Sequence, residues 1–183
     1  ITDHEKFNLV IPSSHQYLKN LKGLIEGVAL LPKPLQEKLD INWYGEVLDK
    51  SLEEGKLKIT EYGLDHVFTF HHPVKNIHEV MQKAGGVGLF SFYEGLPNAV
   101  CEAMACGKPV VASNISDNSI LIGNDSLLCV PTDPTSISTA LKNMLSLNKT
   151  ELENIGKRNR EFAENNFNSS IIIKQYSNLF DND

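Results

Sequence analysis

The sequence has little of what marks secreted, membrane-spanning or nucleic-acid-binding proteins. Its 183 residues include three cysteines, an odd number without a C-x-x-C pair, which disfavours a disulfide framework and suits buried, reduced thiols in a cytoplasmic protein. No uncharged apolar run approaches the roughly 18 residues that a membrane-spanning helix needs. The sequence therefore predicts a soluble domain without a direct membrane span.

Positive charge is also scarce. The formal net charge is −6 at pH 7, and the lysines and arginines are scattered rather than clustered. The broad basic face that attracts nucleic acid or anionic lipid is therefore missing, and any anionic ligand must be held locally.

What is present is a globular composition, with 41% apolar and 22% charged residues, in a length that suits one domain. The first six residues resemble neither a signal peptide nor the first structural element of a protein. We therefore expect the sequence to start inside a longer protein.

Short apolar runs alternate with helical patterns along the chain. This alternation is typical of an α/β fold in which a parallel β-sheet carries helices on both faces. We expect about six strands, at 7–11, 41–44, 67–70, 87–92, 109–112 and 127–130. Sheets of this kind bind ligands at the carboxyl ends of their strands, so the turns after the first, third, fourth and fifth strands are where chemistry is expected.

Several sequence signals predict where the helices begin and end. A stripe of apolar residues from Tyr17 to Val28 predicts the first helix. Further boundaries are indicated by capping boxes at 51–54 and 150–153, by Asn76 and Asp133-Pro134 as starts, and by Gly63 and Gly107 as ends. A last helix is expected to carry Ile172, Tyr176, Leu179 and Phe180.

The segment 92–112 carries the clearest functional signal. Glu94 ends a buried strand, and Glu102 follows eight positions later, about one turn into a helix with apolar neighbours. Carboxylates accept hydrogen bonds strongly, and the paired hydroxyls of a ribose or hexose are natural donors to them. The helix N-terminus near Asn98 suits a phosphate, and Gly95 permits close approach of ligand and backbone. The segment thus predicts recognition of sugar and phosphate.

At these residues the sequence resembles the glycosyltransferases of the two-Rossmann-domain, or GT-B, fold. It matches the retaining group 1, or family 4, type, whose mark is Glu, seven residues, Glu, and the surrounding E-G-x-P and E-A-M-A-x-G-x-P-V-V-A segments also match. The likeness implies a Rossmann-like sheet in which residues 1–183 form the nucleotide-sugar-binding C-terminal domain. The N-terminal acceptor domain would be absent, so this fragment alone is expected to be inactive.

The resemblance also implies an activity, namely hexosyl transfer with retention of anomeric configuration. The donor would be a nucleotide-diphosphate sugar, with a UDP-sugar expected, and no metal or other cofactor is implied. The acceptor would be a glycan or a lipid-linked glycan bound through the missing domain, in polysaccharide biosynthesis. Any peripheral attachment to the inner membrane face would come from that missing half, and no nucleic acid partner is expected.

Residue roles follow from the same resemblance. Glu102 would hold the donor ribose, and Glu94 would contact the transferred sugar as the catalytic residue. The intervening positions would give backbone contacts to sugar and phosphate: Gly95, Leu96, Pro97 and Asn98. Lys19 matches the lysine that clamps the donor diphosphate in relatives, since Lys19-Asn20 is followed by Leu24-Ile25.

The chain departs from the family pattern at two places. The arginine that joins the lysine in relatives falls at Ser13 or Ser14, and a serine hydroxyl gives a neutral hydrogen bond without charge. Ser14 is equally suited to cap the first helix. His72 stands where the family usually has glycine, in a loop that lies by the nucleobase in relatives. His15 or His72 would compensate for the arginine only when protonated.

Two other functions compete with this interpretation. A degenerate nucleotide-binding module without transferase activity is favoured by the missing arginine and opposed by the intact Glu94 and Glu102. A dinucleotide-dependent dehydrogenase is disfavoured because the glycines at 85–88 open a strand rather than a strand-to-helix turn. Metal binding is not expected, since the adjacent His71 and His72 make a poor ligand pair and the acidic residues 181–183 suit a frayed tail.

Overall fold

Six parallel strands form one sheet in the computed structural model, which describes residues 6–171, 173 and 177. They are β1 (Phe7–Pro12), β2 (Leu39–Tyr44), β3 (Phe68–His71), β4 (Gly86–Leu89), β5 (Val110–Ser113) and β6 (Leu128–Cys129). Their order across the sheet is β3-β2-β1-β4-β5-β6. The predicted Rossmann-like sheet is confirmed.

Helices connect these strands and surround the sheet. They are α1 (Leu21–Ala29), α2 (Lys33–Lys38), α3 (Ser51–Glu61), α4 (Ile77–Lys83), α5 (Asn98–Ala105), α6 (Asn118–Ile122), α7 (Pro134–Ser146) and α8 (Lys149–Asn166). The chain runs outward from β1 to β3 in one direction and from β4 to β6 in the other. Because such crossovers are right-handed, α1 and α3 lie on one face and α5 on the opposite face.

The core lies between the sheet and these two helical layers. On one side α1 packs between α3 and α7, and on the other α5 packs between α4 and α8. Every residue of β4 and β5 is buried, as expected for central strands of a parallel sheet that is covered on both faces. Each fully buried aliphatic side chain contributes about 1.5–3 kcal/mol relative to exposure, so these strands fix the fold firmly.

The first predicted helix is interrupted. Tyr17–Lys19 form a separate 3₁₀ turn, and α1 begins only at Leu21. The interruption occurs at Asn20, which has a left-handed backbone (φ 58°) and whose side chain accepts a hydrogen bond from the Gly23 amide. Tyr17 is therefore 70% exposed, and the prediction that it faces the core is wrong.

Both predicted capping boxes are wrong in detail. The α3 helix follows Lys50, and Ser51 instead donates to the Asp49 carboxylate through its amide. The box of α8 lies two residues earlier than predicted, because Asn148 and Glu151 satisfy each other's amides. In each case a nearby polar side chain outside the predicted motif provides the better acceptor.

Other predicted boundaries agree with the structure. Asn76 and Asp133 precede α4 and α7, and Gly63 and Gly107 follow helices with φ of 66° and 68°. The fourth strand ends at Leu89, earlier than predicted, and helices α2 and α6 were not predicted. The residues chosen for the last helix and the acidic residues 181–183 lie outside the described residues. No helix in the described part of the chain has the length and apolarity to cross a bilayer.

Candidate functional site

The order of the strands creates a crevice between β1 and β4. The chain leaves these neighbouring strands toward opposite faces, so the loops that follow them diverge and leave a space at the carboxyl edge of the sheet. The two loops are joined near their start, because the Phe92 amide donates to the Leu18 carbonyl at 2.9 Å. The Tyr17 and Phe92 rings also pack with their centroids 5.3 Å apart.

Asn20 fastens the floor of this crevice. Its side-chain amide donates to the Phe90 carbonyl at 3.1 Å and to the Pro131 carbonyl at 2.7 Å. These partners follow β4 and β6, so a single buried side chain connects the loops after three strands. A Cβ atom at Gly23 would lie 2.5 Å from the Asn20 side-chain oxygen, which explains why this position of α1 has no side chain.

Glu94 is the centre of the polar contacts in the crevice. Its Oε1 atom accepts a hydrogen bond from Lys19 Nζ at 2.6 Å and another from Ser91 Oγ at 2.6 Å. The Lys19 and Glu94 side chains are only 18% and 15% exposed. The structure thus brings together two residues that the sequence analysis selected separately, 75 positions apart.

Ser116 adds the loop after β5 to this cluster. Its hydroxyl donates to the backbone carbonyl of Glu94. Ser116 has a positive φ of 47°, a backbone conformation that costs energy for residues other than glycine. Neither Ser116 nor the buried Ser91 was predicted, because a serine near a strand end carries no sequence signal for such a contact.

The helix that starts after Glu94 presents its N-terminus to the crevice. Pro97 precedes the first helical residue, Asn98, and provides no side-chain acceptor for the first amides of α5. The positive end of the helix dipole therefore lies at the end of the loop that carries Glu94, the residue that Lys19 contacts. A Cβ atom at Gly95 would meet nothing within 4 Å, so the space beside the loop is open, and Leu96 is exposed.

Glu102 lies on α5, in the turn that follows. Its side chain is exposed, while its neighbours Ala103 and Met104 are buried. Among the described residues no side chain forms a hydrogen bond or ion pair with it. The carboxylate is therefore available to accept hydrogen bonds from a ligand.

His15 does not supply the positive charge that the missing arginine would have given. Its ring is 2% exposed and lies between Trp43 and Phe70, at centroid distances of 5.4 and 5.5 Å. Burial, and secondarily the nearby Lys56 ammonium, lowers the pKa of His15 below its ordinary value of 6.5. The ring is therefore neutral at pH 7, so the interpretation of His15 as a compensating cation is wrong.

The two serines near the end of β1 have different surroundings. The Ser13 carbonyl accepts from the Trp43 indole at 2.7 Å, while its hydroxyl is buried without a partner in the described structure. The Ser14 hydroxyl accepts from the Gln16 side chain at 2.9 Å. Ser14 does not cap a helix, because Gln16 precedes the 3₁₀ turn.

His72 lies apart from this cluster. It is exposed and directly follows β3, the edge strand, which β2 separates from β1. Its neighbour His71 contacts the Asn42 side chain at 2.7 Å and stacks on Tyr44 at 4.2 Å. Within the described ranges, no three His, Cys, Asp or Glu side chains group closely enough to hold a metal ion.

Comparison with known protein families shows which family this chain belongs to. The profile of the family described as "Glycosyl transferases group 1" matches residues 2–162, a span that contains Lys19, Glu94 and Glu102. The chain belongs to the group 1 glycosyl transferases.

Curated relatives support this assignment. The chain is 29% identical over 126 residues to the O-antigen chain mannosyltransferase B of Escherichia coli, covering 66% of this chain and 32% of that protein. It is 28% identical over 171 residues to an uncharacterised glycosyltransferase of Methanocaldococcus jannaschii, covering 89% of this chain and 42% of that protein. This group 1 chain therefore spans less than half the length of these two relatives.

Solved structures show the same fold. The Anabaena protein HepE, in complex with UDP and glucose, superposes with a TM-score of 0.84 at 21% identity and covers 97% of this chain and 49% of its own. The Staphylococcus aureus protein TarM, solved as a mutant in a complex that includes UDP, superposes with a TM-score of 0.83 at 21% identity, over 97% of this chain and 36% of its own.

Proposed function

We propose that this chain is the donor-binding half of a glycosyltransferase that uses a nucleotide-diphosphate sugar. The observation that carries the proposal is the cluster of Lys19, Ser91 and Glu94 at the strand-order reversal, followed on α5 by the exposed Glu102. The loops after β1 and β4 meet there at the Glu94 carboxylate, and Ser116 from the loop after β5 donates to the Glu94 backbone carbonyl. Such a site offers both a cation for phosphate and acidic acceptors for sugar hydroxyls.

In this proposal each residue has a distinct role. Glu102 accepts hydrogen bonds from the ribose, and Glu94 contacts the transferred hexose as the catalytic residue. Lys19 and the N-terminus of α5 stabilise the charge that develops on the leaving diphosphate, through dipoles and charges fixed before the reaction. Backbone atoms of the remaining predicted residues complete the donor site: Gly95, Leu96, Pro97 and Asn98.

The predicted residues outside the Lys19–Glu94 cluster, namely Ser13, Ser14 and His72, are proposed to make weaker contacts with the donor. Ser13 and Ser14 give neutral hydrogen bonds near the diphosphate, where relatives place an arginine. His72, at the end of β3, lies toward the nucleobase. Transfer proceeds with retention and without a metal, and the chain supplies position and electrostatics rather than a redox or metal-bound group.

The proposed donor is a UDP-sugar, because the HepE and TarM complexes contain UDP. The proposed acceptor is a glycan or lipid-linked glycan in polysaccharide biosynthesis, in line with a relative that extends O-antigen chains. We place the reaction in the cytoplasm, at the membrane face if the acceptor is lipid-linked. The acceptor is bound by a second domain, and this chain alone is inactive as a transferase.

A second candidate is a nucleotide-binding module that has lost transfer activity. The neutral environment at Ser13 and Ser14 favours it, as does the buried and uncharged His15. With these residues, Lys19 is the cation that the chain offers the diphosphate in this proposal, and in this structure it is already paired with Glu94.

Thermal unfolding with a panel of nucleotides tests the proposal. UDP, GDP, ADP and their common sugar conjugates are added to the wild-type chain, to Glu102→Ala and to the control Glu153→Ala on α8. A ligand at about 100 times its Kd adds about 2.7 kcal/mol, or roughly 5–10 °C in Tm for a domain of this size. We expect UDP compounds to raise the Tm of the wild type and the control, and not that of Glu102→Ala.

The contrary results are equally informative. An equal rise in Tm in Glu102→Ala contradicts the ribose role of Glu102. No rise with any nucleotide at millimolar concentration contradicts donor binding by this chain.

A further inference from the structure

A cavity adjoins the donor crevice, at the helical layer formed by α1 and α3. Its volume is about 670 Å³, and its walls are α1, α3 and the segment Pro131–Pro134. Two glycines allow the helices to pack closely beneath the cavity. Gly23 on α1 is buried, and a Cβ atom at Gly55 on α3 would lie 2.4 Å from the Leu21 side chain. We call this cavity the α1–α3 groove.

The groove adjoins the donor crevice and shares Tyr17, Asn20 and Phe92 with it. Lys19, Glu94 and Glu102 do not line it. Tyr17 and Phe92 line the groove on the side of the crevice. Tyr17 precedes Lys19 by two positions, and Phe92 precedes Glu94 by two positions. A long ligand whose end lies at the crevice can therefore continue into the groove.

The lining combines exposed aromatic surface with hydrogen-bonding groups. Tyr17 is 70% exposed and packs on Phe92, which gives a broad apolar platform beside the groove. The polar groups come from α1, α3 and the segment before α7: Lys22, Glu26, Glu54 and Thr132. Glu26 also pairs with Lys58 at 3.0 Å, and this hydrogen bond raises the pKa of Lys58.

This combination suits a neutral carbohydrate. The C–H face of a hexose ring is apolar and packs on an aromatic face, while its hydroxyls donate to carboxylates. The lining carries the carboxylates of Glu26, Glu54 and Glu61 against the ammonium groups of Lys22 and Lys58, a balance that gives no net attraction for a polyanionic chain. A volume near 670 Å³ is within the range of cavities that bind small ligands, so it accommodates a short stretch of sugar units.

We propose that the α1–α3 groove binds a neutral, hydroxyl-rich oligosaccharide, namely the part of the acceptor or product glycan that lies away from the reacting end. This proposal rests on the proposed function, and it adds a glycan-binding site within the donor-binding half. It predicts that this chain binds neutral oligosaccharides directly, independently of a nucleotide.

Amide chemical shifts of the ¹⁵N-labelled chain provide the test. Neutral tetrasaccharides of mannose, glucose and galactose are titrated separately, in the presence and absence of UDP. At least one is expected to shift the amides of Tyr17, Lys22 and Glu54 with a roughly millimolar Kd. Glu54→Gln should weaken this binding at least fivefold, and Glu53→Gln, its exposed neighbour on α3, less than twofold.

The outcomes separate this proposal from the proposed function. No shift at groove amides with any tetrasaccharide at about 20 mM overturns the groove proposal, as do shifts confined to the donor crevice or an equal effect of both glutamine variants. Self-association of the chain through the groove that no tetrasaccharide displaces also overturns it. UDP binding is followed in the same samples. If UDP does not bind, the proposed donor-binding function is contradicted, and the groove proposal is still judged by the tetrasaccharide shifts.

Discussion

At the residue scale, the Lys19–Glu94 contact determines how the proposed site would bind a donor. Both side chains are largely buried, and Lys19 Nζ lies 2.6 Å from Glu94 Oε1. A donor that approaches Lys19 through its diphosphate must share this ammonium with Glu94. The same contact keeps Lys19 oriented before the donor arrives, which reduces the entropy lost on binding.

Replacing Lys19 tests its proposed partner, the diphosphate. Lys19→Ala removes a charge-assisted hydrogen bond, so the affinity for UDP should fall about 10- to 100-fold. Binding of uridine, which has no phosphate, should change less than threefold. Calorimetric titration of both ligands measures the difference, with the exposed Lys149→Ala as control. An equal loss for UDP and uridine would show that Lys19 acts on the fold and not on the diphosphate.

His15 makes a separate prediction about pH. Its pKa in the folded protein lies below the ordinary value of 6.5, chiefly because the ring is buried. The unfolded chain therefore binds more protons in the window just below pH 6.5, and stability falls as the pH decreases through it. Urea unfolding between pH 5.5 and 7.5 should show this slope in the wild type and in His72→Gln, and a shallower slope in His15→Phe. A wild-type slope in His15→Phe would rule His15 out as its source.

The sequence allowed Glu94, Glu102 and Lys19 to be selected, because a contiguous motif and a family resemblance mark them. It gave no indication of Ser91 or Ser116, and it marked Asn20 only as the residue that follows Lys19, without a role of its own. The contact of Asn20 with Pro131 joins segments 111 positions apart, and the contacts of Ser91 and Ser116 with Glu94 depend on where β4 and β5 end. Burial of His15 was also hidden, since nothing local predicts that Trp43 and Phe70 enclose it.

At the element scale, α8 holds the carbonyl ends of the helices that follow β4 and β5. Arg158 donates to the Ile122 carbonyl at the end of α6, and Arg160 donates to the Ala105 carbonyl at the end of α5. Between them the side chain of Asn159 donates to the Lys108 carbonyl at 2.8 Å. The helix that carries Glu102 is therefore fixed at its C-terminal end by a helix outside the donor site.

Asn159→Ala measures this fixation. Asn159 is 1% exposed, and its removal leaves the partly buried Lys108 carbonyl without this partner. We expect a loss of roughly 1–3 kcal/mol in the free energy of unfolding. The exposed Asn154→Ala on the same helix should stay within about 0.5 kcal/mol of the wild type. Equal effects in urea unfolding would contradict a specific role for the contact with Lys108.

Elements differed in how well the sequence predicted them. The six strands were predictable because buried parallel strands are short apolar runs, and errors at their ends were small. The helix start at Ser51 was predicted correctly, but the capping boxes expected at 51–54 and 150–153 were wrong, because Asp49 and Asn148 accept from the amides instead. The break before α1 follows from the contacts of the Asn20 side chain with distant loops, and no helical periodicity reveals such contacts.

At the scale of the whole molecule, several large apolar side chains are exposed at the carboxyl edge of the sheet. Tyr93 and Leu96 beside Glu94 are 70% and 66% exposed, and Leu18, Val47 and Leu48 are also exposed. Large exposed apolar patches mark interaction surfaces. The relatives that this chain matches are at least twice as long, and we propose that a second domain covers this edge and brings the acceptor to Glu94.

A crystal structure of this chain with UDP would show whether the crevice binds a nucleotide as proposed. We expect the ribose hydroxyls to lie within hydrogen-bonding distance of the Glu102 carboxylate, and the diphosphate to lie between Lys19 Nζ and the N-terminus of α5. UDP bound elsewhere, or bound in the crevice with its ribose away from Glu102, would contradict the account.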